Sequence, residues 1–187
     1  MTTSTTLAPV PEANRTSPPS RSISTFRSAH VFATVLTGLS AGFFYAYESS
    51  VTRGLAEVDD LTYVRTFQAI NDTIQNPLFG LVFFGSLPAL LLANALQRDR
   101  TWSPKRLLLA LAPVLYVIGM AITVTGNVPL NDELADVDPS TAAVAAEARD
   151  AFEDDWNRFN GYRGIAFVGS FAGMAAALPL AERTARN

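Results

Sequence analysis

The sequence predicts an all-α fold: an integral membrane four-helix bundle with two external helical segments forming a cap. Three observations predict it. Apolar residues gather in four runs of roughly 18–22 residues, near the ~20 needed to cross ~30 Å of hydrocarbon. Charged residues are 17% of the chain and fall almost entirely between those runs. The two longer connections carry apolar residues at helical spacing. A chain of 187 residues suggests a single domain, placed here at residues 26–183.

Residues 1–25 are rich in Ser, Thr, Pro and Ala and lack apolar periodicity, as expected of a disordered cytoplasmic tail. Arg15, Arg21 and Arg27 then lead into the first run, 26–47. That run is too long for a signal-peptide core and no small-residue cleavage site follows, so it reads as an uncleaved anchor. The second run, 77–97, begins at Asn76-Pro77, where proline suits a first helical turn. The third is 106–126 and the fourth 164–181. Pro88 and Pro113 fall inside runs two and three, and membrane helices tolerate proline. Gly38 and Gly42, like Gly169 and Gly173, are spaced for close helix packing.

In the first external segment, residues 58–75, Val58, Leu61, Val64, Phe67, Ile70 and Ile74 follow near-helical spacing. The second, 140–160, opens at Pro139-Ser140, a plausible helix start, and includes Val144, Phe152 and Phe159. The third run is expected to continue outward until Pro129 stops it.

Orientation follows from Lys and Arg. The tail, the 98–106 loop and the C-terminus hold Arg15, Arg21, Arg27, Arg98, Arg100, Lys105, Arg106, Arg183 and Arg186. The other connections hold only Arg53, Arg65, Arg149, Arg158 and Arg163. This bias puts both termini in the cytoplasm of a multi-pass cell-membrane protein. The cap side is acidic: of the Asp and Glu residues, only Glu12, Asp99 and Glu182 lie elsewhere.

Composition removes several chemistries. There is no cysteine, so thiolate nucleophiles, disulfides and cysteine-bound clusters are excluded. A single histidine, His30, excludes a multi-histidine metal site within one chain, and its place near the cytoplasmic end favours a packing role. No metal site is expected. Glu153-Asp154-Asp155 reads as a solvated helix face without EF-hand spacing. No basic stripe suggests nucleic acid.

Against this background one set of residues stands out. Asn127 and Asn131 follow the third run one turn apart, and Trp156, Asn160 and Arg163 share a helix face before the fourth. Gln68 and Asn71, with Gln75, share a face of the first cap segment, and Glu48 closes the first run. All lie at the outer membrane level, where polar groups cost free energy unless they pair or bind a ligand. One reading is a hydrogen-bonding pocket. The other is that the amides cap helices and tie loops down, while Trp156 and Arg163 sit at the interface. Glu48 and Arg163 either pair with each other or leave Glu48, partly desolvated, as a base.

The run Asn127-Val128-Pro129-Leu130-Asn131, with Trp156, Asn160 and Arg163 beyond it, resembles the anthrone-oxygenase-like family of small four-span membrane proteins. Phe67-Gln68-Ala69-Ile70-Asn71 and Asn76-Pro77 resemble the same family's pattern. The likeness covers about residues 28–180. Many members are labelled as a domain of unknown function, and named members oxidise an anthrone to an anthraquinone in aromatic polyketide pathways. Some relatives place histidine near the position of Asn160, and this chain departs from them there. The resemblance implies an oxidoreductase, a monooxygenase needing no cofactor, that acts on a hydrophobic enolisable aromatic. On that basis Glu48, Asn127, Asn131, Asn160 and Arg163 are the candidate catalytic residues, with Glu48 as base and the others binding the enolate oxygen. Gln68, Asn71, Trp156 and Phe159 are the candidate substrate-binding residues. The partners expected are the lipid bilayer, a hydrophobic aromatic small molecule and further copies of the chain in a homo-oligomer. The alternative is a non-enzymatic membrane binding or accessory protein with a polar extracytoplasmic cap.

Overall fold

The computed structural model describes residues 21–97 and 101–184. Its elements in order are helices α1 (Arg21–Ala46), α2 (Thr52–Ala56), α3 (Asp60–Ile74), α4 (Pro77–Leu96), α5 (Pro104–Ile122), α6 (Val128–Ala135) and α7 (Ala142–Thr184). Two π-helical turns, Tyr47–Val51 and Thr123–Asn127, join α1 to α2 and α5 to α6 without a break. The described residues contain no strand.

Local chemistry sets the boundaries. Asp59 caps α3, its Oδ1 accepting from Thr62 N at 3.0 Å. Asn76 caps α4 by accepting from Leu78 N and Phe79 N, and Pro77 opens the helix, as expected. Ser103 caps α5 ahead of Pro104. Pro88 and Pro113 lie inside α4 and α5.

α1 packs on α4 and α7, and α5 packs on the same two helices, closing a four-helix ring. Its core includes Phe44, Phe83, Leu90, Leu109, Tyr116, Phe167 and Met174. The outward faces are apolar as well. Phe32, Leu39, Leu81, Phe84, Leu111, Val117 and Ile165 are all exposed, as lipid-facing residues would be. Three helical stretches among the described residues are long and apolar enough to cross a membrane: Ser24–Ala56, Pro77–Leu96 and Pro104–Ala135. The chain is therefore a membrane protein. The fourth predicted run, 164–181, is the last part of α7 and extends past the described side chains.

A second core forms the cap, where Tyr63, Val64 and Phe67 of α3 meet Leu134 of α6 and Ala145, Phe152 and Trp156 of α7. Arg149 fastens this cap. Its guanidinium donates to Val58 O, Asp60 and Glu153, and lies 4.4 Å from the Tyr63 ring centroid.

Several expectations change. Arg21–Thr25, read as tail, are helical; residues 1–20 lie outside the described ones. Pro129 does not stop the third run. A π-turn adds one residue to the turn ahead of it, and Pro129 then occupies the first turn of α6, where its missing N–H costs little. The second cap segment is not separate from the fourth span, since α7 runs unbroken for 43 residues. Glu153 is not simply solvated, because Arg149 holds it at 2.6 Å. Gly38, Gly169 and Gly173 do allow close packing, with Phe171, Leu115 and Leu108 near the sites of their absent Cβ atoms. Nothing approaches Gly42 within 4 Å.

Candidate functional site

The two cores meet at the level of the π-turns. A π-turn inserts a residue into a helix and rotates the succeeding residues about its axis, and such turns recur at functional sites. Here the first carries Glu48 and the second ends on Asn127, and both pack on α7. Room for the second comes from Gly126, whose absent Cβ would stand 2.7 Å from the Phe159 ring.

On α7, Trp156, Asn160 and Arg163 line the face toward these turns. Asn160 is fully buried and central. Its Nδ2 donates to Glu48 Oε2 at 3.0 Å. Its Oδ1 accepts from Arg163 Nη2 at 3.0 Å and from Nε at 3.3 Å. Glu48 and Arg163 therefore do not form a direct ion pair; one asparagine amide couples them. Glu48 lies on the exposed side of these contacts. Its carboxylate sits at the exposed end of the chain of contacts, and Arg163 at the buried end.

Arg163 is only 7% exposed. Its guanidinium carbon lies 4.7 Å from the Phe44 ring centroid and 5.0 Å from that of Trp156. Phe44 belongs to the bundle core and Trp156 to the cap core, so the cation bridges the two. Among the described residues no carboxylate lies within 4 Å of it. A buried cation ordinarily needs such a partner.

The other amides hold the cap. Asn127 is fully buried; its Nδ2 donates to Trp156 O at 3.1 Å, and its Oδ1 has no partner. Trp156 Nε1 donates to Asn131 Oδ1 at 2.7 Å. Gln68 Nε2 donates to the carbonyls of Leu134 and Val137, tying α3 to the end of α6. Asn71 is half-buried with an unpartnered Nδ2. Phe159 packs over Gly126. The structure thus joins Glu48, Asn160, Arg163 and Trp156 into one contact chain and links Asn127 and Asn131 to it through Trp156. It leaves Gln68 engaged elsewhere.

Other participants were not singled out by sequence. Tyr47 is buried, with its ring 5.8 Å from that of Trp156. Phe44 stacks on Phe167 at 4.5 Å. A cavity of about 310 Å³ lies between α1 and α4, lined by Ser40, Phe43, Phe44 and Phe79 among others, and by none of the nine candidate residues. The aromatic run Phe43-Phe44-Tyr45 just ahead of Tyr47-Glu48 was the available signal. His30 is packed, as expected, with Nε2 2.9 Å from Met174 O. No group of His, Asp and Glu that could hold a metal occurs among the described residues.

Neither a curated protein nor a solved structure matches the chain. A family model described as anthrone oxygenase matches residues 67–173. That stretch is more than half the sequence and contains Gln68, Asn71, Asn127, Asn131, Trp156, Phe159, Asn160 and Arg163, although Glu48 precedes it. The chain belongs to the anthrone oxygenase family.

Proposed function

We propose that the protein is a cofactor-independent oxygenase of a hydrophobic, enolisable aromatic, working at the outer membrane face. The observation that supports this most is Arg163, a buried guanidinium held by Asn160 and two aromatic faces without a carboxylate partner. A site of this kind suits an anion that appears only during the reaction.

An anthrone has a CH₂ group flanked by two rings and conjugated to a carbonyl. Removing one proton gives a carbanion whose charge is shared with the carbonyl oxygen. Glu48 takes the proton. The driving force for this transfer comes from stabilising the enolate. Arg163 and the Nδ2 group of Asn160 supply it. The carbanion then gives electrons to O₂, and a peroxide forms at the ring carbon. Loss of water leaves a second carbonyl. One oxygen atom enters the product and the other departs as water, so CH₂ and O₂ become C=O and H₂O. The electrons come from the substrate itself.

The Lys and Arg bias favours an orientation with the cap outside and both termini in the cytoplasm. The test is oxygen uptake and anthraquinone absorbance with anthrone and purified protein in detergent. The expected result is oxidation faster than autoxidation, lost in Arg163→Met and reduced in Glu48→Gln. Oxidation at the autoxidation rate refutes the proposal.

A second reading has its own support: Asn127, Asn131 and Gln68 spend their amides on cap contacts. An accessory protein predicts that alanine at these positions lowers stability while no turnover exists to lose.

A further inference from the structure

The cavity between α1 and α4 has a polarity that selects its guest. Its walls are chiefly apolar, with the Phe43, Phe44 and Phe79 rings prominent. Phe43 and Phe79 pack with centroids 5.4 Å apart. The two polar residues on the wall differ in what they leave free. Asn76 caps α4, its Oδ1 accepting from Leu78 N and Phe79 N, and its Nδ2 donates one of its two protons to Thr73 O, which leaves one N–H donor at the wall. Ser40 is engaged through its proton alone. Tyr116 Oη donates its single proton to Phe83 O at 2.8 Å. With the Tyr116 proton assigned to Phe83 O, the 2.9 Å contact between Ser40 Oγ and Tyr116 Oη is donated by Ser40. Ser40 Oγ keeps only lone pairs, so it can accept a hydrogen bond from a guest and cannot donate one.

We propose that this slot binds a planar aromatic bearing a hydroxyl group, with that hydroxyl donating to Ser40 Oγ. About 310 Å³ is at the lower end of small-ligand pockets and suits a compact ring system. The rim residues Leu39 and Leu78 are 54% and 73% exposed on the apolar outer surface, so the mouth faces the lipid phase, where such a molecule partitions. The Phe44 wall also packs on Arg163, which places the guest one side chain away from the Glu48–Asn160–Arg163 contacts. As a substrate subsite the slot rests on the proposed oxygenase activity; as a binding site it does not.

The test measures binding of 2-hydroxyanthraquinone and 2-methoxyanthraquinone to the full chain in detergent. Neither is a substrate for CH₂ oxidation, so binding is read apart from turnover. The expected result is that the hydroxyl compound binds about tenfold more tightly, the value of one hydrogen bond. Ser40→Ala should remove that preference, Ser40→Thr should keep it, and Val82→Trp, which fills the slot, should weaken both ligands. Thermal unfolding of each variant separates lost binding from lost fold. Equal binding of the two compounds by the wild type, or a preference that survives Ser40→Ala, overturns the proposal. So does displacement of both by lauric acid at equal potency, which would mark an acyl-chain groove. Binding as expected without anthrone oxidation would retain the slot and refute the oxygenase reading.

Discussion

Replacing Asn160 by leucine should destabilise the protein far more than replacing both Asn160 and Arg163 by apolar residues. Among the described residues, the Arg163 guanidinium donates to Asn160 Oδ1. Asn160→Leu leaves a buried cation with only ring faces for company. Removing one partner of a buried charged contact costs about 3–5 kcal/mol. At about 2–4 °C per kcal/mol for a chain of this size, the midpoint of thermal unfolding should fall on the order of 10 °C. Arg163→Met removes the charge and leaves Asn160 Oδ1 unsatisfied, for about 1–3 kcal/mol. The double variant Asn160→Leu/Arg163→Met buries neither a charge nor an orphan amide. It should be more stable than Asn160→Leu alone, with a coupling of about 1.5–3 kcal/mol. Thermal unfolding in detergent, followed by tryptophan fluorescence, reads all four proteins. Additivity within about 0.5 kcal/mol would refute the claim that Asn160 compensates Arg163.

Gly126→Ala should cost about 1–3 kcal/mol, because the new methyl would meet the Phe159 ring, whereas Gly164→Ala, with nothing within 4 Å, should be neutral or slightly stabilising. Equal midpoint shifts for the two would show that Phe159 yields freely. Tyr63 makes stability depend on alkaline pH: burial, reinforced by the nearby Glu153 charge, raises its hydroxyl pKa above the ordinary 10.0. The folded state therefore favours the neutral phenol. That contribution is intact below pH ~10 and is lost as pH rises from the unfolded pKa through the folded one. Stability measured from neutral to strongly alkaline pH should fall less steeply for Tyr63→Phe than for the wild type, and parallel curves would contradict the assignment.

Much of the fold was legible because the bilayer imposes a length and a polarity that one dimension can show. Apolar runs of membrane-spanning length, the proline start at Pro77 and the helical spacing of Val64 and Phe67 are local signals; three such stretches, the Pro77 start and a helix over Val64 and Phe67 are present among the described residues. The π-turns were not legible. Whether a helix inserts a residue at Tyr47–Val51 or Thr123–Asn127 depends on what packs beside it, and at the second turn that is Phe159 against Gly126, more than thirty positions away. For the same reason Pro129 reads as a stop in sequence and serves as a first turn in the fold.

The candidate site divides along the same line. The sequence by itself determined a cysteine-free, nearly histidine-free membrane bundle with amides, Trp156 and Arg163 gathered at one level. Residue type and depth are properties of the chain, and the family resemblance rests on the same residues. Only the tertiary structure decided which of those amides face Arg163 and which hold the cap. Gln68 and Asn160 look alike on their helices, yet one meets two backbone carbonyls and the other a carboxylate and a guanidinium. Hydrogen bonds form between groups brought within about 3 Å, and that proximity is set by how α3, α6 and α7 pack. The same packing left Glu48 exposed, Arg163 buried, and an aromatic slot beside them.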